Sequence, residues 1–185
     1  MRFFGIVEIQ ASGFDGCTAL RSIIIPSTCT SMATRAFAST ALESLVIPDS
    51  VISYGENMLN GCHQLQQLTL SQNAATIPNG FARGCDALQR LTIPDSVTSS
   101  GPYAFRGCSA LKHVIVGAGL SAFNDYMFEN CTSLETLTLK ANSVVTLGTN
   151  SLNAVPSSCV VRVPAALVAD YQADSKWSRF TIQSF

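Results

Sequence analysis

The sequence predicts a mainly β solenoid, in which coils of about 23 residues stack on one another and share one continuous core. Four leucines recur at one constant interval, the length of a coil: Leu65, Leu88, Leu111 and Leu134. Four cysteines keep the same interval: Cys62, Cys85, Cys108 and Cys131. Within a copy, Leu91-Thr92-Ile93 alternates apolar and polar residues with the period of a strand, and Pro94 ends it. Together these observations indicate one strand per coil and a parallel sheet with a strand spacing of about 4.8 Å.

The first element is an incomplete coil. Ile9 stands five residues before Phe14, the spacing at which Met32 precedes Phe37. The chain therefore starts in mid-coil, which favours a segment of a longer protein over a first half-coil that pairs with something else. The start "MRFFGIVEIQ" is too short and too interrupted by Glu8 for a signal peptide. If the natural protein is secreted, we expect the leader to lie upstream.

The following coils repeat one unit in nearly constant register. "FDGCTALRSIIIP" becomes "FASTALESLVIP" with one residue deleted and Thr40 in the cysteine row, after which the constant spacing returns. One inward row of the strands is apolar throughout: Ile23, Leu45, Leu68, Leu91, Val114 and Leu137. After each strand a second apolar pair, such as Val51 with Tyr54, leads into a segment too short for a regular helix. That segment is predicted to form helical or 3₁₀ turns on the opposite wall.

The last element is a cap. The repeat breaks after Pro164, which suits the first turn of a helix, and Leu167, Val168 and Tyr171 follow at helical spacing. We predict one domain, with a solenoid of about six coils over residues 1–164 and a helical cap over 165–185. The cap packs on the last coil and covers apolar surface that would otherwise be exposed.

The repeated wording "YAFRGCSALKHVIV" and "GFARGCDALQRLTIPDSV" resembles the leucine-rich repeats of the BspA-like family. The similarity covers roughly residues 6–164 and implies a leucine-rich-repeat solenoid. It also implies the setting of that family, large bacterial cell-surface and secreted proteins, some of them adhesins that bind host extracellular-matrix proteins. Ser71, Gly117 and Ala141 depart from it where the pattern has proline.

Composition excludes several classes of function. Charged residues make up 12% of the 185 residues and the formal net charge is −1, so neither a nucleic-acid footprint nor a basic membrane patch is present. No apolar run approaches the roughly 20 residues that a membrane-spanning helix needs, so we expect no membrane insertion. A surface poor in lysine and glutamate is also suggestive of an extracellular protein.

The candidate reactive groups have structural explanations. The seven cysteines include no Cys-x-x-Cys, and the row that follows the repeat is expected to pack as small buried thiols, which leaves Cys29 and Cys159 without an assigned role. His63 and His113 lack partners for a catalytic constellation. Asp49 and Asp95 follow prolines in corresponding turns, where a short carboxylate accepts from backbone donors. We therefore predict no catalytic residue, no metal site and no cofactor.

The outward positions of the strands are where the repeat leaves residue type free. The candidate binding face consists of Ser22, Ile24, Ser44, Val46, Gln67, Thr69, Arg90, Thr92, His113, Ile115, Thr136 and Thr138. Rigid faces of this kind are the binding surfaces of repeat proteins, although β-branched residues are also there for sheet propensity. Within it, Ile24 and Val46 form the best apolar cluster, and the middle strands look inert.

The sequence thus favours a non-enzymatic, adhesin-like interaction module of a cell-surface or secreted bacterial protein. We expect it to bind a protein or glycan through the outer face of the repeat sheet, and to be a monomer as an isolated fragment. The alternative is a structural spacer segment of a larger surface protein, with no ligand of its own.

Overall fold

The computed structural model describes residues 5–185, which form a parallel β-solenoid of about eight turns. The first four residues of the predicted solenoid segment lie outside the described residues. The strands are β1 (Glu8–Ile9), β2 (Ser31–Met32), β3 (Ser44–Val46), β4 (Ser53–Tyr54), β5 (Gln67–Thr69), β6 (Thr76–Ile77), β7 (Arg90–Ile93), β8 (Ser99–Ser100), β9 (His113–Val116), β10 (Ala122–Phe123), β11 (Thr136–Leu139), β12 (Thr146–Leu147), β13 (Val160–Val163) and β14 (Thr181–Ser184). A 3₁₀ turn (Ala165–Leu167) and the helix α1 (Val168–Ala173) precede β14.

The strands form two walls that share one core. The long-strand wall holds β3 and β5 as one pair and β7, β9, β11, β13 and β14 as a five-stranded parallel sheet. The short-strand wall holds two-residue strands in the order β1-β2-β4, β6-β8 and β10-β12. The sequence predicts one strand per coil, whereas most coils have a second short strand where the second apolar pair was placed.

The core consists of stacked rows, as the constant length of the repeat predicts. In the long-strand wall Leu91 lies opposite Val114 and Val114 opposite Leu137, and each is at most 2% exposed. On the turn side, the rings of Phe105 and Phe128 stack at 5.5 Å between centroids. Each coil buries its side chains against both neighbours, which is what makes a single coil unstable and the stack stable.

The predicted helical or 3₁₀ segments are consecutive turns. Arg83 N donates to Gly80 O at 3.1 Å, the local bond expected of a 3₁₀ turn, but Ala82 N donates to Ala104 O of the next coil at 2.8 Å. Positive φ at Gly80 (+61°) and Gly84 (+72°) turns alternate amides toward the neighbouring coil and prevents a helix. Side-chain-bearing residues also have positive φ in other coils: Ser12, Arg35, Ser39, Asn57, Tyr103, Tyr126, Asn130, Asn150 and Ala154.

The first coil departs from the predicted pattern. The stretch around Ser22 and Ile24 forms no strand, although Glu43 N donates to Arg21 O at 3.0 Å. Ile23 is half-buried and Cys17 is exposed, while the equivalent Cys62 is fully buried. Residues with a neighbouring coil on one side only bury less of their surface, so the predicted strand and buried thiol are wrong for this coil.

At the C-terminus, α1 and the segment after it lie over the last coil. Trp177 is 1% exposed and its Nε1 donates to Val145 O at 2.8 Å. Tyr171 of α1 packs on Trp177 with ring centroids 5.2 Å apart and accepts a hydrogen bond from Val145 N. The chain then forms β14, which pairs with β13 in parallel register and extends the sheet by one strand. In residues 5–185 no helix is long and apolar enough to cross a membrane.

Candidate functional site

The outer face of the long-strand wall is open along its whole length. None of the twelve residues of the candidate binding face is buried: nine are exposed, and His113, Thr136 and Thr138 are half-buried. Their inward neighbours Leu45, Leu91 and Val114 are at most 2% exposed, because successive residues of a strand point to opposite faces. The strands therefore place ten of these side chains on the outer face, and Ser22 and Ile24 are exposed in the first coil, which forms no strand there.

The long-strand wall is interrupted in its middle. Strand β5 pairs with β3 on one side, and β7 pairs with β9 on the other, but β5 and β7 belong to separate sheets. The coils that carry them remain joined elsewhere, since Leu59 N donates to Phe81 O at 2.8 Å and Cys85 Sγ donates to Leu59 O at 3.3 Å. The stack is thus intact, and β5 and β7 lie side by side without pairing through backbone hydrogen bonds.

Two adjoining cavities of about 300 and 210 Å³ lie at this interruption. We call it the β5–β7 cleft, and it is lined by Gln66, Gln67, Leu68, Thr69, Leu70, Gln72, Gln89, Arg90, Leu91 and Thr92. Leu68 is 8% exposed there, against 2% for Leu91 in the neighbouring coil. The cleft lies within the predicted face, in the middle strands, which the sequence predicts to be inert.

Arg90 is the one charged side chain among the residues that line the cleft. Among residues 5–185, its guanidinium has no ion-pair or hydrogen-bond partner. Among the acidic residues of the neighbouring coils, Asp49 Oδ1 accepts from Gln72 N of the cleft lining, and three others have a cation or a histidine as partner. Glu43 accepts from Arg21 at 2.8 Å, Asp86 lies 3.2 Å from His63, and Glu135 lies 3.2 Å from Lys112. The positive charge of Arg90 is therefore uncompensated at the centre of an open surface.

The apolar end of the face is present as predicted. Ile24 is 93% exposed and Val46 is 64% exposed, whereas Ile115 further along is 38% exposed. Ile24 and Val46 therefore offer an exposed apolar contact.

The face extends further than the sequence predicts. In the register of the sheet, Val160 lies opposite Thr136 and Arg162 opposite Thr138, and the cap strand continues both rows with Thr181 and Gln183. Arg162 is exposed on the same surface as Arg90. The alternation in "VVRVP" indicates a further strand. The repeat is one residue longer at this coil, so the constant interval of the earlier coils does not extend to it.

The cysteine row forms a packing ladder. Each thiol donates to a backbone carbonyl of the preceding coil: Cys62 to Phe37 at 3.1 Å, Cys85 to Leu59 at 3.3 Å, Cys108 to Ala82 at 3.4 Å and Cys131 to Phe105 at 3.5 Å. Burial raises the pKa of Cys108 to about 12 and holds the pKa of Cys131 well above its usual range, so both stay protonated donors. All seven cysteines are free. Cysteine suits this row because its side chain is small and largely apolar, while its thiol can donate a hydrogen bond to a buried carbonyl.

The remaining ionisable side chains form contacts between neighbouring coils. Asp49 Oδ1 accepts from Gln72 N at 2.8 Å and Asp95 Oδ1 accepts from Ala118 N at 2.9 Å, so each carboxylate joins one coil to the next. His113 Nδ1 lies 2.8 Å from Thr136 Oγ1. Within residues 5–185, no three histidine, cysteine or acidic side chains group together as a metal site would require.

An aromatic pair on the turn side was not anticipated from the sequence. The rings of Tyr103 and Tyr126 stack 4.9 Å apart, and the guanidinium groups of Arg83 and Arg106 lie 5.8 and 5.6 Å from the Tyr103 ring. Tyr126 and these two cations are the neighbours that the Tyr103 ring already contacts. The arrangement is a packing ladder between coils, comparable to the phenylalanine stack, and not an open platform.

Comparison with known proteins gives a family and a fold. Residues 4–109 and 76–168 match the model described as "BspA type Leucine rich repeat region", in six copies. A leucine-rich repeat protein from Eubacterium ventriosum is similar over 80% of this chain and 40% of its own, with 26% identity and a TM-score of 0.75. One from Bacteroides ovatus is similar over 98% and 52%, with 20% identity and a TM-score of 0.62. The chain thus spans about half, or less, of these two proteins, and no curated protein matches it.

Proposed function

The chain belongs to the BspA-type leucine-rich repeat family, whose repeat covers most of its length, and on this premise we propose that it is a non-enzymatic interaction module. It serves a cell-surface or secreted bacterial protein and binds a protein or glycan through the outer face of its long-strand wall. The module works as a monomer and without a cofactor.

The observation that carries the proposal is the β5–β7 cleft in the middle of the open face. A spacer needs no relief on its surface and no uncompensated charge, whereas a binding surface combines a concave site with a few polar groups that orient the ligand. Here the concavity, the amides of three glutamines and the free guanidinium of Arg90 coincide on a rigid sheet. The catalytic alternative has no comparable support, since the ionisable groups of the turns are used in backbone contacts.

A binding screen with two matched variants tests the proposal. The purified chain is screened against arrays of glycans and of matrix proteins, and each hit is repeated with Thr92→Glu and Thr98→Glu. Thr92 is exposed on the outer face, and Thr98 is exposed beside β8 on the short-strand wall of the same coil. We expect at least one ligand whose binding is abolished by Thr92→Glu and retained by Thr98→Glu.

The contrary results are equally specific. Binding that is lost with Thr98→Glu and kept with Thr92→Glu would move the site to the other wall. If the folded chain binds nothing on either array, the proposal fails and the spacer interpretation takes its place. A light-scattering measurement of the molar mass on the same sample tests whether the module is a monomer.

A further inference from the structure

We infer that the β5–β7 cleft recognises an acidic sugar residue, with Arg90 binding its carboxylate and the surrounding amides binding its hydroxyl groups. This inference rests on the proposed function, because it names the ligand class for the same outer face.

The positive charge of Arg90 favours a ligand with a carboxylate. A guanidinium presents its N–H donors in a planar fork that matches the two oxygens of a carboxylate. Arg90 has this fork free among the described residues, and the acidic residues nearby, Glu43 and Glu135, are held by Arg21 and Lys112. An incoming carboxylate therefore meets one uncompensated positive charge and no free negative charge within the cleft lining.

The rest of the lining suits sugar hydroxyls. Gln66, Gln67 and Gln89 each bring an amide with two donors and an acceptor, and Thr69 adds a hydroxyl that can donate or accept. A sugar hydroxyl needs both kinds of partner. Backbone groups add to this set, because the facing edges of β5 and β7 do not pair with one another. The amide and hydroxyl groups that surround the Arg90 guanidinium thus match a sugar ring that bears one carboxylate and several hydroxyls.

The size of the cleft agrees with a single sugar residue. Its two adjoining parts measure about 300 and 210 Å³. Small-molecule sites start at roughly 300 Å³, so the cleft accommodates one residue of a chain with room for its neighbour to lie along the face. In the adjoining strands, Ser44 and Val46 lie on one side of the cleft and His113 and Ile115 on the other.

A peptide is a poorer fit to the same surface. Protein interfaces depend on a desolvated apolar or aromatic centre. The aliphatic residues of the cleft belong to the core, since Leu70 and Leu91 are 2% exposed and Leu68 only 8%. No aromatic ring lines the cleft. Val46 and Ile115 lie in the adjoining strands, opposite Thr69 and Thr92, and Ile24 lies one coil beyond Val46. These aliphatic side chains stand on opposite sides of the cleft and form no common apolar centre within it.

The test uses the intact chain and paired saccharides that differ in the carboxylate. Binding of trigalacturonate and of neutral trigalactose is measured by calorimetry, as is binding of sialyllactose and of lactose. Each titration is repeated with Arg90→Ala, Arg90→Lys and the matched control Arg162→Ala, and circular dichroism checks that every variant is folded. Arg162 is exposed on the same face, three strands away along the sheet.

We expect at least one acidic saccharide to bind and its neutral counterpart to bind at least tenfold more weakly. Arg90→Ala weakens binding by about 10- to 100-fold, the range for a hydrogen-bonded charged partner. Arg90→Lys gives an intermediate loss, because the charge stays and the planar fork is lost. Arg162→Ala changes the affinity less than about twofold.

Two results overturn the inference in distinguishable ways. If a neutral glycan or a protein binds the outer face and Arg90→Ala leaves its affinity unchanged, the acidic-sugar assignment fails while the proposed function stands. If neither these saccharides nor the arrays yield a ligand, both fail together.

Discussion

Removal of the Trp177 side chain provides the sharpest test of how the stack is closed. The indole is 1% exposed, and its ring lies 5.2 Å from Tyr171, 6.1 Å from Phe180 and 6.2 Å from Phe123 between centroids. Truncation of a buried tryptophan to alanine costs about 3–5 kcal/mol, since transfer energy is lost and a cavity remains. The carbonyl of Val145 also loses its donor, which adds about 1 kcal/mol. We therefore expect Trp177→Ala to lower the free energy of unfolding by about 4–6 kcal/mol.

Trp177→Phe is the matched control. It keeps an aromatic ring against Tyr171, but it removes the donor to Val145 O and is smaller than the indole, so a total loss of about 1–3 kcal/mol is expected. Urea unfolding followed by circular dichroism gives both values. Hydrogen exchange shows where protection is lost, because each coil of a solenoid contacts only its neighbours.

The loss of protection in Trp177→Ala should be greatest in β11, β12 and β13 and least in β3 and β5, at the other end of the stack. A change below about 1 kcal/mol for Trp177→Ala would contradict the cap's role. So would an equal loss of protection in all coils.

The other predictions concern the thiols, the alkaline limit and the coil contacts. In the native protein one thiol, Cys17, should react with an aromatic disulfide reagent, and all seven thiols should react after unfolding. Rapid reaction of two or more thiols in the native state would contradict the burial of the cysteine row. Burial raises the pKa of Tyr54 from 10.0 to about 12, so its contribution to stability is complete below pH 10 and is lost as the pH rises toward 12. Tyr54→Phe should reduce this slope in urea titrations, and an unchanged slope would refute the assignment. Gly101→Ala should destabilise the fold by about 1–3 kcal/mol, because the added Cβ overlaps the backbone of Asn79; an unchanged urea midpoint would show that the coils are not in such close contact.

The repeat made the core predictable because each buried row is specified many times over. Leu91, Val114 and Leu137 have the same neighbours in successive coils, so the constant spacing of the repeat determines their register. The first coil was not predictable from the same pattern. Ile23 and Ile25 stand at the inward positions of the repeat, but a strand also requires a paired neighbour, and this coil has one on a single side.

The candidate site was predictable in part. Alternation along the strands is enough to place Arg90 and Thr92 on the outer face. The cleft beside them depends on whether β5 and β7 form hydrogen bonds, and the sequences "LQQLTL" and "LQRLTI" differ too little to show it. Gln67 and Arg90 line the cleft, but so do the β-branched Thr69 and Thr92. Gln67 also pairs with Ser44 and Arg90 with His113, so residue type does not indicate where the pairing stops.

Mapping of a bound acidic saccharide onto the chain tests the central claim most directly. Amide chemical shifts of isotope-labelled protein are followed during titration with trigalacturonate and with sialyllactose. The account predicts that the largest changes for the one that binds fall in residues 66–69 and 89–92, around the β5–β7 cleft. Changes confined to the short-strand wall or to the turns around Tyr103 and Tyr126, with those two segments unaffected, would contradict it.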